Sequence, residues 1–159
     1  ELLRPPSLDL LGNADGGKSS PSRGGAHFTP PAIARSIVEH ALTSVEALDS
    51  KTDLVVLDPA CGSGAFLHEA LRALRRRGFS GRIQVVGRDI SRAAISMARF
   101  VLDRALVDWS QHRVSLDLEV GDSLASPLPL ADVVVMNPPF MAFAALSSTQ
   151  REQMREILG

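Results

Sequence analysis

Apolar residues along the chain follow two alternating rhythms, and their order predicts the architecture. Leu54, Val55, Val56 and Leu57 run unbroken between Asp53 and Asp58-Pro59, as in a strand buried on both faces in the middle of a parallel sheet. A second strand is predicted over 82–87. A third over 113–120 alternates Val114, Leu116, Leu118 and Val120 with Arg113, Ser115, Asp117 and Glu119, a half-exposed pattern that belongs at a sheet edge. Residues Ala131 to Phe140, ADVVVMNPPF, predict a further buried strand. Between the strands the spacing turns helical. Ile33, Ile37, Val38, Leu42 and Val45 share one face of a first helix, with Thr29 as its expected N-cap and Pro30-Pro31 in its first turn. Phe66, Leu67, Ala70, Leu71 and Leu74 mark a second helix that ends at Gly78. Ala94, Ile95, Ala98, Val101, Leu102 and Ala105 mark a third, capped by Ser91 and closed by Trp109 as a packing residue. This alternation predicts an α/β fold with a doubly wound sheet of about four strands, preceded by a helix.

Residues 1–26 break both rhythms. Gly, Ser, Asp, Asn and Pro dominate from Gly12 to Ala26, a composition expected of a flexible segment. Gly12 to Ser19 spells the phosphate-binding G-x-x-x-x-G-K-S pattern, but no buried strand precedes it and Pro21, Gly24 and Gly25 interrupt the stretch after it, so a phosphate site is not expected there. The 159 residues make about one domain, and 45% hydrophobic content can fill its core. The single cysteine, Cys61, excludes an internal disulfide and suits a reducing cytoplasm. A net charge of −1 offers no global attraction to nucleic acid, so a DNA-binding surface would have to be local or lie elsewhere. No apolar run reaches membrane-spanning length, and a start at Glu1 without a signal layout suggests a piece of a longer protein.

Candidate chemistry sits at the ends of the strands. Cys61-Gly62-Ser63-Gly64 is a small-residue loop between a buried strand and a helix N-terminus, the layout of a nucleotide-type site. Leu67 stands where the dinucleotide pattern G-x-G-x-x-G requires its third glycine, which argues against a dehydrogenase. Asp89, at the tip of the second strand, is placed to meet the two hydroxyls of a ribose, with Ile90 against an adenine ring. Arg72, Arg75, Arg76 and Arg77 crowd a helix C-terminus, where cations complement the helix dipole; that role is preferred to a phosphate patch. In Asn137-Pro138-Pro139-Phe140 both Asn137 and Pro138 precede a proline and are restricted to extended conformations, and the prolines donate no N–H. The Asn137 side-chain oxygen and the Pro138 carbonyl can each accept one hydrogen of a planar exocyclic amino group, while Phe140 stacks on its ring.

The stretch D-P-A-C-G-S-G, Asp58 to Gly64, resembles the first motif of S-adenosylmethionine-dependent methyltransferases. That resemblance implies Asp58 near the cofactor's ammonium group, the backbone of Ala60, Gly62 and Gly64 beside its carboxylate, Asp122 accepting the adenine amino group and Leu124 packing on the adenine. With N-P-P-F behind it and F-T-P (Phe28, Thr29, Pro30) ahead, the stretch His27 to Phe140 resembles adenine-N6 DNA methyltransferases of the type I modification subunit and fused type II restriction-modification arrangement. The F-T-P segment of that family closes over the methionine end of the cofactor. The implied fold is a class I methyltransferase, with residues 27–159 forming part of its catalytic domain; the later strands and a target-recognition domain have no counterpart. The implied catalytic set is Asn137, Pro138, Pro139 and Phe140, acting on an adenine flipped out of DNA, with no metal. Implied partners are a specificity subunit or fused target-recognition and nuclease domains, and the fragment alone is expected to be inactive. N-P-P-[YF] also resembles glutamine and RNA-base methyltransferases, so these substrates stay open, as does a non-catalytic cofactor-binding remnant. Phe140 stands where tyrosine is common.

Overall fold

The computed structural model describes residues 29–109, 113–125 and 127–137. The segment 1–26, the phosphate-loop look-alike within it, Phe28, and Pro138 to Phe140 lie outside the described residues. The elements are α1 (Pro31–Thr43), a short 3-10 turn (Leu48–Ser50), β1 (Asp53–Asp58), α2 (Ala65–Arg76), β2 (Arg82–Asp89), α3 (Arg92–Leu106), β3 (Val114–Val120) and β4 (Val133–Val134).

All four strands run parallel in the order β3-β2-β1-β4. The chain therefore steps outward from β1 to β3, then returns to the other side of β1. Such a reversal opens a crevice at the carboxyl ends of the strands, where open α/β sheets bind ligands. β1 is interior, as its unbroken apolar run predicts, and β3 is at an edge. Leu54, Val56, Ile83 and Val85 of the sheet are buried with Phe66, Leu67, Leu71 and Leu74 of α2 and Ile95, Ala98 and Leu102 of α3.

Local chemistry sets the helix ends. Gly78 takes a left-handed φ of 69°, and after it the Phe79 N–H donates to Leu74 O at 3.0 Å while the Gly78 N–H donates to Arg75 O at 3.0 Å, satisfying the last carbonyls of α2. The arginines near this end are ion-paired: Arg72 with Glu69, Arg75 with Asp108, and Arg76 and Arg77 with Glu39 of α1. Ser91 caps α3 by accepting the Ala94 N–H at 3.3 Å.

Three expectations need correction. The buried face of α1 is Ala34, Val38 and Leu42, one ridge of residues four apart, while Ile33 and Ile37 are 52% and 43% exposed. Small Ala34 lets α1 approach α2 along that ridge, and each isoleucine sits one position, about 100° of helix turn, to its side. Thr29 is not the N-cap: Pro30 is, without a side-chain cap, its carbonyl accepting the N–H of Ile33 and of Ala34 at 3.0 Å each. β4 pairs with β1 over only two residues, and Val134 is exposed because, among the described residues, nothing covers that side of the strand.

Candidate functional site

The carboxyl end of β1 delivers Asp58, and the alternation of the strand turns its side chain wholly inward, with no exposure. Asp58 Oδ1 accepts the Ala60 N–H at 3.0 Å, whereas the buried Oδ2 has no hydrogen-bond partner among the described residues. Burial pushes this carboxyl up to about 7, against the Ala60 bond, and the nearby Asp89 charge adds to the rise. A buried acceptor without a donor is costly, and a cationic group brought to Oδ2 would relieve it.

The loop after Asp58 is pinned on both flanks. Cys61 N–H donates to Arg88 O at 2.8 Å, and Gly62 N–H donates to Asp89 Oδ2 at 2.9 Å. Gly62 and Gly64 adopt left-handed φ values of 53° and 83°. They differ in surroundings: a Cβ on Gly62 would meet nothing within 4 Å, whereas one on Gly64 would lie 3.2 Å from Ala98 Cβ of α3. Gly62 thus presents bare backbone to open space, and Gly64 lets α2 start close against α3. The buried Cys61 thiol is pushed up to about 12, first by desolvation and then by Asp58 and Asp89, so it is no nucleophile.

Asp89 does more than stand at a strand tip. Besides the Gly62 N–H on Oδ2, its Oδ1 accepts the Ser91 N–H at 2.8 Å, and its carbonyl accepts the Gly121 N–H at 3.0 Å. One residue therefore fastens the loops after β1, β2 and β3, and each carboxylate oxygen keeps a second lone pair for a ligand. Ile90 beside it is 78% exposed. Asp122 shapes its own turn, with Oδ1 accepting the Leu124 N–H at 2.9 Å, and Leu124 is 97% exposed. Ser123, which sequence patterns did not single out, donates from Oγ to Pro59 O and ties this turn to the β1 loop.

Gly87 was also missed. A Cβ there would lie 2.7 Å from Leu118 Cδ2, 3.0 Å from Leu67 Cδ1 and 3.1 Å from Cys61 Sγ, so the close seating of the loop on β2 needs glycine. An isolated glycine within a strand pattern was the available signal.

Asn137 lies just beyond β4, next to the end of β1: Val135 N–H donates to Leu57 O at 2.9 Å. Its Nδ2 donates to Thr29 Oγ1 at 3.0 Å, joining residues 108 apart. The structure therefore gathers Asp58, Ala60, Gly62, Gly64, Asp89, Ile90, Asp122 and Leu124 along one rim of the sheet, with Thr29, Pro30 and Asn137 on the β4 side. The orphaned Asp58 oxygen suits a cationic group, and the open space at Gly62 with the exposed Ile90 and Leu124 leaves room for a ligand with a flat apolar ring. At the opposite end, a groove of about 680 Å³ between α2 and α3 is lined by Arg72, Arg75, Arg76, Arg104 and Trp109. No group of three or more metal-ligating side chains occurs, and no helix is long and apolar enough to cross a membrane, among the described residues.

Comparison with known proteins agrees with this layout. The chain is 31% identical over 119 residues to the Type I restriction enzyme MjaVII methylase subunit of Methanocaldococcus jannaschii, a match covering 73% of this chain and 18% of that protein. It thus spans about a fifth of the length of that relative. Among solved structures, a Listeria monocytogenes protein assigned to the class I S-adenosylmethionine-dependent methyltransferases matches with TM-score 0.55 and 29% identity, over 70% of this chain and 32% of that one. The methyltransferase subunit of a type I restriction-modification system from Streptococcus thermophilus shares the fold, with TM-score 0.54 and 21% identity, over 80% of this chain and 26% of that one. The family model for N-6 DNA methylases matches residues 14–156, and the chain belongs to that family of methyltransferases.

Proposed function

We propose that the protein of which this chain is a part transfers a methyl group from S-adenosylmethionine to the exocyclic N6 amino group of adenine in DNA, as the modification component of a restriction-modification system. One observation carries the reading. The D-P-A-C-G-S-G loop and Asn137, about 80 residues apart in sequence, stand at the ends of the neighbouring strands β1 and β4, on either side of the sheet's reversal point.

In this reading Asp58 holds the cofactor's ammonium group, and the backbone of Ala60, Gly62 and Gly64 lies beside its carboxylate. Asp89 accepts the ribose hydroxyls, Ile90 and Leu124 flank the adenine ring, and Asp122 accepts the adenine amino group. Phe28, Thr29 and Pro30 close the methionine end. When bound, S-adenosylmethionine supplies an electrophilic methyl group on a sulfonium. The chain's own residues prepare the acceptor: Asn137 Oδ1 and the Pro138 carbonyl draw on the two hydrogens of the amino group, Pro139 stiffens the loop, and Phe140 stacks on the flipped base. An aromatic amine has its lone pair delocalised into the ring, and two acceptors favour the pyramidal nitrogen that can attack. In-line positioning supplies much of the remaining rate, so no strong general base is required. Flipping costs a few kcal/mol, and stacking on one aromatic returns about 1–3 kcal/mol. The M. jannaschii relative is named as a methylase subunit of a type I restriction enzyme, which supports work within an assembly; the partners in this reading are a specificity subunit or fused target-recognition and nuclease domains. A cytoplasmic location belongs to the same reading.

The test is labelled methyl transfer by the full-length protein to DNA, RNA and protein in parallel. Label in DNA adenine that disappears in Asn137→Ala is the expected result. Label in RNA or on glutamine would replace the substrate, and cofactor binding without transfer would favour a non-catalytic role.

A further inference from the structure

We infer that Thr29 is a positioning residue whose hydroxyl, by accepting from Nδ2, holds the Asn137 side-chain amide with its oxygen free for the substrate; this rests on the function proposed above. The observation is the hydrogen bond from Asn137 Nδ2 to Thr29 Oγ1 at 3.0 Å, half-buried, between the start of α1 and the end of β4. An asparagine amide has a donor end and an acceptor end of nearly the same shape. Turned the wrong way, it would aim N–H groups at an amino group whose hydrogens need acceptors. Engaging Nδ2 with Thr29 turns the carbonyl oxygen away from the threonine and reserves it for the substrate.

Two further features suit Thr29 to the task. The helix does not use its hydroxyl, because Pro30 serves as N-cap. Both partners also precede a proline, Thr29-Pro30 and Asn137-Pro138, so both backbones are restricted to extended conformations before they meet. The pair is therefore preorganised, and little side-chain freedom remains to be lost on binding substrate. Thr29 reaches the reacting amino group only through Asn137, so this role adds to the place of Thr29 at the methionine end of the cofactor.

The experiment compares Thr29→Val and Thr29→Ser in the full-length protein. Thr29→Val keeps the shape and removes the acceptor; kcat for DNA methylation should fall about 10- to 100-fold, as for a misplaced reacting group. Because Thr29 also stands in the segment that closes the methionine end of the cofactor, kcat is read at saturating S-adenosylmethionine, and Thr29→Ser should restore most of it. Unchanged kcat with weakened cofactor binding, or no recovery in Thr29→Ser, would overturn the assignment. A second measurement does not depend on the substrate: denaturant unfolding of Thr29→Val, Asn137→Ala and the double variant. Non-additive losses are expected of a touching pair, and strict additivity would overturn the assignment. If the parent protein methylates no DNA, the proposed function fails, and the unfolding cycle alone decides the role of Thr29.

Discussion

Asp89 Oδ2 accepts the Gly62 N–H at 2.9 Å, so the acid at the tip of β2 holds the glycine loop at the tip of β1. The sequence places Asp89 against a ribose and makes Ser91 the cap of the third helix, and Ser91 does cap α3. The carboxylate nevertheless serves the fold as well, through Gly62 and Ser91.

Asp89→Ala should therefore damage stability and binding together. Hydrogen bonds to a charged group contribute about 1.5–3 kcal/mol each, less where solvent reaches them as at Ser91, so unfolding free energy should drop by about 2–4 kcal/mol and cofactor affinity by at least about tenfold. Chemical denaturation and calorimetric titration separate the two losses. Asp89→Asn, which keeps one acceptor oxygen, should lose less of both.

Asp58 predicts an unusual pH dependence. Its folded value of about 7 lies above the ordinary 3.8, so the native state binds this proton more tightly than the unfolded chain does. The resulting stability is fully present below about pH 4 and is lost as pH rises through about 7, by up to a few kcal/mol. Ligand-free protein should thus melt lower at pH 8 than at pH 5 through this group, and Asp58→Asn should flatten that slope. An ammonium-bearing ligand needs the carboxylate, so S-adenosylmethionine affinity should weaken as pH falls below about 7. Affinity that is flat from pH 6 to 8 would remove Asp58 from the ammonium site.

The two loop glycines should respond differently to alanine. Each substitution costs roughly 1–2 kcal/mol for a left-handed φ. Gly62→Ala adds a methyl to open space, so it should cost little more stability yet reduce cofactor affinity by about tenfold or more. Gly64→Ala pushes against Ala98 and should lose a further 1–3 kcal/mol or so of stability.

Leu124→Ser tests the exposed turn. A residue this exposed contributes within about 0.5 kcal/mol to stability, so the melting temperature should hold. If its side chain covers an adenine ring, cofactor affinity should fall about three- to tenfold, in line with about 1 kcal/mol of lost apolar burial. A variant that binds as tightly as the parent would place the adenine elsewhere.

Asp132→Ala is expected to behave in the opposite sense. Asp132 accepts the Val55 N–H at 2.8 Å and pairs with Lys51 at 2.8 Å, clamping the start of β4 to β1 at the end of the sheet away from the site. Unfolding free energy should fall by about 1–2 kcal/mol while cofactor affinity is unchanged.

The sequence by itself determined what depends on neighbours along the chain. The unbroken run Leu54 to Leu57 could bury both faces only inside a sheet, the alternation from Val114 to Val120 could bury only one, and Gly78 and Ser91 could end and start helices through local backbone geometry. The D-P-A-C-G-S-G spacing likewise placed glycines where a left-handed φ is needed. Tertiary structure decided what depends on residues meeting across the fold. Only packing against α2 could show that α1 buries Ala34 and leaves Ile33 and Ile37 exposed. Only the seating of the loop on β2 could show why Gly87 must lack a side chain. Thr29 reads locally as a cap, because a threonine before a helix usually is one; its bond to Asn137 arises because strand order returns β4 beside β1 and the start of α1. A hydrogen bond between residues 108 apart leaves no periodic trace in either segment, so it becomes visible only when the sheet is assembled.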